Sequence, residues 1–166
     1  MIKKLIYINI IISLLLVNVY FIYAEEKTVI YSTWEGFEVD KCASIWLIKR
    51  FIDKNAKIKF FPKGKTITEG IPFDMPNAIF RRYHNISTFE FFLKHHQLMD
   101  KKLMLIGKII HDIEINTWER KVFSKTIKIK KDIIEIINKT NNVQNIVDQS
   151  IKYFDHLYEN IYEHQK

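Results

Sequence analysis

His111 and Glu114 stand three residues apart in the run IIHDIE, residues 109–114. On a helix this spacing puts an imidazole and a carboxylate on one face, where both can reach one cation. Asp112 lies between them and points elsewhere on a continuous helix, unless the turn frays near Ile113. Taken alone, such a pair is more often plain surface than a site. Glu90 has a competing role, because Ser87-x-x-Glu90 is a capping-box pattern at a helix start. His84 follows RRY in a loop, where a solvated histidine is the default. Asp40 opens the apolar stretch VDKCASIWLIKRFID, residues 39–53. It either caps that helix or faces a group that needs a negative partner. There is no GxGxxG, P-loop, GxSxG, HExxH or CxxC motif to settle the chemistry.

The elements that must position these residues follow from hydrophobic period and turn chemistry. TVIYSTW, residues 28–34, alternates and is rich in β-branched residues, which predicts a strand. Residues 39–53 have helical period, with Ala43, Trp46, Leu47 and Arg50 on neighbouring turns. KIKFFP, residues 57–62, reads as a second strand ended by Pro62. A helix between two strands predicts a βαβ unit with parallel strands. Pro72 and Pro76 bracket Phe73, Asp74 and Met75, which places Asp74 in a stiff structural turn. Residues 78–83 form a candidate third strand. Helices are expected at about 87–96, 101–113 (capped by Asp100), 120–138 and 143–164. The fold class is therefore α/β (α+β) and helix-rich: a small, mostly parallel sheet of two or three strands packed by about five helices.

Composition narrows the partners. The 166 residues are 48% hydrophobic and 27% charged, which suits a buried core and argues against disorder. The net charge of +7 admits nucleic acid, anionic lipid or small anions. The densest basic run, TIKIKKD at residues 126–132, reads as a solvated helix face rather than a binding patch. Lys3 and Lys4 precede an almost wholly apolar run, residues 5–23, and Ala24 is followed by Glu25 and Glu26. This is the pattern of a signal peptide, residues 1–24, leaving one domain over 25–166. Ile22 is large for a cleavage site, so an uncleaved membrane anchor over residues 5–24 is the alternative. The expected location is periplasmic or extracellular, with membrane contact only through the leader, and nucleic acid is not expected as a partner. Removing the leader lowers the formal charge from +7 to +5. Cys42 has no partner cysteine and reads as a small buried hydrophobe.

Several ordered motifs also resemble a known family. VDKCASIWLIKRFID, KIKFFP, PFDMPNAIFRRYHNISTFEFFL (residues 72–93) and IGKIIHDIE (residues 106–114), with a fainter echo in YFDHLY (residues 153–158), resemble the chromate-resistance family defined by the C-terminal domain of ChrB, also called chromate resistance exported protein. The family pattern falls on Asp40, Trp46, Arg50, Asp74, His84, Phe89, Glu90, His111, Asp112 and Glu114. The family more often has Asp where this chain has Glu114. The resemblance implies that Asp40, His84, Glu90, His111 and either Glu114 or Asp112 converge at the helix mouths. As nitrogen and oxygen donors they suit Zn, Mn or Fe, and an open position there would permit redox or hydrolytic chemistry. Arg50 and Lys49 would pair with an oxyanion such as chromate, or with a carboxylate of the family pattern. The cytoplasmic relatives carry a further N-terminal domain tied to chromate-responsive regulation, and that role is not carried over. The expectation is an exported protein binding a metal ion or oxyanion. A metal-dependent enzyme on the same cluster, or an envelope interaction module without a small-molecule site, are the alternatives. Expressed with its own leader, the exported chain should begin at Glu25. N-terminal sequencing that returns Met1 from the membrane fraction would support the anchor instead.

Overall fold

The computed structural model describes residues 28–116 and 118–162, with Ser13 alone before them. The leader reading and the expected end of the last helix at residue 164 lie outside the described residues. β1 (Ile30–Trp34) is the middle strand of a three-stranded sheet of order β2-β1-β3. β2 (Lys57–Phe61) runs parallel to it, Ile30 opposite Lys57 and Trp34 opposite Phe61. The first helix, α1 (Val39–Leu47), joins them, so the βαβ expectation holds. All nine residues of α1 are buried. A helix with no polar face must be enclosed on every side, and α1 packs against the four helices that follow. A π-helical turn, Ile48–Ile52, extends α1, closed by the Asp53 N–H donating to the Ile48 carbonyl at 2.8 Å.

The third strand is Ile71–Pro72, not residues 78–83, and it pairs parallel to Tyr31 and Ser32. Pro72 cannot donate to a ladder, so it suits an edge. The chain then turns sharply through Asp74 and Asn77, both at positive φ. That leaves residues 78–83 only two isolated bridges, Phe73 to Phe80 and Tyr83 to Ile86.

Four more helices complete the helix-rich α/β fold: α2 (Thr88–His95), α3 (Lys101–Glu114), α4 (Thr126–Asn138) and α5 (Val143–Asn160). Asp100 caps α3 by accepting the Leu103 N–H, and Asn142 caps α5 by accepting the Asn145 N–H. α4 starts six residues later than the pattern predicts. The Asp112 carboxylate takes the Val122 and Phe123 N–H groups and the Thr126 hydroxyl, which holds that stretch out of a helix. Trp46 sits at the centre of the core, fully buried among Phe51, Phe89, Phe154 and Tyr158. Its indole N–H donates to Asp155, 2.8 Å away, and Arg50 donates to both oxygens of the same carboxylate. One acid on α5 therefore locks both ends of the Trp46–Arg50 turn. Cys42 is buried, and burial pushes its thiol up to about 12, so it is inert at neutral pH. Among the described residues no helix is long and apolar enough to cross a membrane.

Gly70 enters β3 at φ +81, and a Cβ there would lie 2.5 Å from Ser32 Oγ and 2.8 Å from the Ile30 carbonyl. Gly70→Ala should destabilise the protein by about 2 kcal/mol or more, through backbone strain plus the clash with the central strand. Urea melts at fixed pH measure this; an unchanged midpoint would show that the edge strand repacks freely.

Candidate functional site

Asp40 supplies the first constraint. Its side chain is fully buried, and its two oxygens accept the Thr88 N–H at 2.8 Å and the Phe89 N–H at 2.9 Å. These are orphan donors at the start of α2, so a carboxylate on one helix caps the next. α2 also has its own capping box: Glu90 N–H to Ser87 Oγ at 3.2 Å, and Ser87 N–H to Glu90 Oε2 at 2.9 Å. At the start of α1, Glu38 makes no side-chain cap. The end of α3 reaches the start of α1 through Glu114 and Glu38, which share one arginine. Acids thus tie the three helices: α3 to α1 through that arginine, and α1 to α2 directly.

Arg82 is the cation these acids share. Its Nη2 lies 2.9 Å from Glu38 and 3.0 Å from Glu114, and its Nε lies 3.6 Å from Asp40. Nearby, Lys41 is buried and donates to the Trp34 and Gly36 carbonyls, with Asp74 at 3.7 Å. Asp74 also accepts the Thr88 hydroxyl at 2.7 Å. Four carboxylates (Glu38, Asp40, Asp74 and Glu114) therefore face two cations. Burial, then the charge of Asp74, raises Asp40 to about 7, against the pull of the two N–H donors and Arg82. Burial likewise raises Asp74 and Glu114, and lowers Lys41.

The remaining candidates divide among other places. His111 Nδ1 lies 2.9 Å from Glu90 Oε2, so this pair does meet, between α2 and α3. Asp112 lines the same cleft as His111 but is taken up by Asn116, Val122, Phe123 and Thr126; those hydrogen bonds outweigh desolvation and lower its pKa. His84 is exposed in its loop. Asp74 is in the expected turn, at φ +49. Of the two partners expected for Arg50 and Lys49, an oxyanion or a carboxylate, Arg50 takes a carboxylate, Asp155, while Lys49 donates to the Ala56 carbonyl at 2.9 Å. Among the described residues no group of three or more His, Cys, Asp and Glu side chains is placed to hold a metal ion. Glu90 and His111 offer one oxygen and one nitrogen, short of the three or four protein donors usual for zinc.

Two clefts adjoin these residues. One, of about 600 Å³, is lined by Glu90, Lys108, His111, Trp118, Val122 and Phe123 among others. The other, of about 680 Å³, opens beyond the end of β1 and includes Lys41, Asp74, Arg81 and Arg82. A crevice at the carboxyl ends of parallel strands is a common ligand position. Three of its cations are already engaged: Lys41 and Arg82 as above, and Arg81 by the Ala78 carbonyl and the face of Tyr83. Lys63 also lines it and has no ion-pair partner among the described residues. In the first cleft Lys108 has no ion-pair partner among the described residues, and it stands one turn before His111. Sequence reasoning missed Arg82 and Lys108. The signal for Arg82 was the excess of acids bound for one helix junction; Lys108 gave none beyond its i, i+3 spacing to His111.

Raised carboxylate pKa values mean that the folded chain keeps protons which the unfolded chain has released. The stability held by the protonated acids is full below about pH 4 and is lost as pH rises through about 7. Arg82→Gln should steepen this decline and cost about 2–4 kcal/mol at neutral pH, less than for a fully buried pair because Arg82 is partly exposed. Urea melts across pH 4.5–7.5 (roughly the window in which these acids titrate) test both. A flat profile with an unchanged variant would mean that the acids carry no linked charge.

A family model described as ChrB, C-terminal domain, matches residues 31–161. Neither the curated proteins nor the solved structures contain a match. That matched stretch begins in the central strand, takes in every helix described above and contains Asp40, Arg82, Glu90, His111 and Glu114, so the chain belongs to the ChrB C-terminal domain family.

Proposed function

We propose that this chain is an exported binding protein of chromate resistance that takes a small oxyanion in the cleft at His111. Its family associates it with chromate resistance. The observation that carries the ligand reading is the Glu90–His111 contact, 2.9 Å, on the wall of an open cleft that Lys108 also lines. Glu90 is itself held by the Ser87 N–H, so the carboxylate is fixed before it meets the imidazole. A ring bound through Nδ1 has a set orientation and keeps Nε2 uncommitted. Protonated, it donates a charge-assisted hydrogen bond to an oxyanion, with the Lys108 ammonium as second cation. The cleft beyond β1 offers Lys63 but no histidine beside it, which is why the reading falls on His111.

A divalent cation on the same pair is the second reading. The 2.9 Å separation of nitrogen and oxygen is one that two ligands of a single ion also show. Zn, Mn or Fe would then use His111 and Glu90, with water completing the shell. Such an open shell is where metal-dependent chemistry would take place.

Calorimetric titration of the full chain with chromate separates these readings. His111→Ala and Lys108→Ala should each weaken chromate binding about tenfold or more, the worth of one charge-assisted hydrogen bond. Unchanged affinity in both variants sinks the oxyanion reading. Elemental analysis showing one Zn, Mn or Fe per wild-type chain, lost in His111→Ala, would favour the cation instead.

A further inference from the structure

Among the described residues ten large apolar side chains are exposed, and four of them fall within residues 118–134: Trp118 at 96%, Val122 at 73%, Ile127 at 70% and Ile134 at 41%. The same seventeen residues hold six Lys or Arg against two acids, a net of +4 out of +7 for the whole chain. On α4 the exposed face is Ile127, Lys130, Lys131 and Ile134, at i, i+3, i+4 and i+7, while Thr126, Ile129 and Ile133 are buried on the other side. This is not a plain solvated face, because aliphatic side chains lie in the basic stripe.

Most of the local charges are not neutralised within the fold, though Lys130 lies near enough to Glu114 to pull its pKa down. Lys121 donates to the Asp112 and Asn116 carbonyls, and Lys125 to the Ile161 carbonyl, which leaves both ammonium charges uncancelled. Only Lys128 has an acid of this segment, Asp132, within ion-pair distance. α4 begins at Lys125 with no side-chain cap and no acid in its first turn. Cations at a helix start oppose the macrodipole, a cost that an external anionic surface would offset.

We propose that residues 118–134 form a docking face for an anionic lipid bilayer. Trp118 and Val122 enter the headgroup boundary, while Arg120, Lys130 and Lys131 meet the lipid phosphates. Charge complementarity selects this occupant. A second copy would set +4 against +4, and the phosphates of nucleic acid offer nothing to the exposed isoleucines.

The test mixes the full chain with phosphatidylglycerol vesicles carrying brominated acyl chains. Trp118 emission is isolated as the difference between wild type and Trp118→Phe, which removes the signals of Trp34 and Trp46. Its emission should shift to the blue and be quenched. The Lys130→Gln, Lys131→Gln double variant should need about tenfold or more lipid for half-quenching. Both substitutions are at exposed positions, so folding is not at stake. Unquenched Trp118 emission overturns the proposal. So does equal quenching in phosphatidylcholine, where the leader run would insert equally well. A blue shift that grows with protein concentration in the absence of lipid overturns it too, in favour of a second copy.

Discussion

The burial of Asp40 against the start of α2 is the constraint on which the rest of this fold depends. An ionised carboxylate inside a protein costs several kcal/mol in lost hydration. Two backbone N–H donors return part of that, each worth about 1.5–3 kcal/mol when the acceptor is charged. Arg82, 3.6 Å away and partly exposed, adds long-range attraction, and the part left uncompensated is what raises Asp40 to about 7. The arrangement is worth its cost because it solves another problem. α1 has no polar face and α2 is half-buried, so their first turns hold N–H groups that water cannot reach. A carboxylate from the neighbouring helix meets those of α2 without bringing in solvent. Glu114 and Glu38 meet at Arg82, which ties the end of α3 to the start of α1. Helix capping here is tertiary contact, and it fixes where the helices sit along one another.

That positioning sets the cleft. Glu90 lies in the first turn of α2, the turn that Asp40 pins, and His111 lies one turn before Glu114 on α3. The two ends of the Glu90–His111 contact are therefore placed by the same carboxylate ties. Arg82 completes the junction because its planar fork can face several acids at once, which an ammonium cannot do with fixed geometry. The acids that resemble a ligand set are largely spoken for: Glu114 by Arg82, Asp40 by α2, and Asp112 by Val122, Phe123 and Thr126. Glu90 and His111 meet on the wall of an open cleft that Asp112 also lines.

Local patterns were legible in the sequence, and distant pairings were not. The Ser87-x-x-Glu90 capping box, the Asp100 cap, the βαβ order and the periods of α3 and α5 depend on neighbours within a turn or two, and spacing reports them directly. Asp40 reaches partners 48 and 49 residues away, and Arg50 meets Asp155 across 105 residues. No spacing rule covers such separations, so the sequence left Arg50 between an oxyanion and a carboxylate, without naming Asp155. β3 escaped for a different reason. A two-residue edge strand containing a proline has too little alternation to register, and the aromatic residues at 78–83 outweighed it. The late start of α4 was hidden because the residues before it have helical composition, while Asp112 draws their N–H groups into a loop.

Asp112 links the His111 cleft to the exposed apolar patch. It follows His111 directly, so one turn of α3 sends the imidazole towards Glu90 and the next carboxylate towards Val122, Phe123 and Thr126. Those residues form the far wall of the His111 cleft and lead into α4. Trp118 and Val122 belong both to that wall and to the exposed apolar patch. Because Asp112 is buried and holds the loop through four hydrogen bonds to different groups, the loop cannot shift without disturbing α3. Anything that seats on Trp118 and Val122 therefore meets the mouth of the cleft, along a wall that the neighbour of its histidine holds in place.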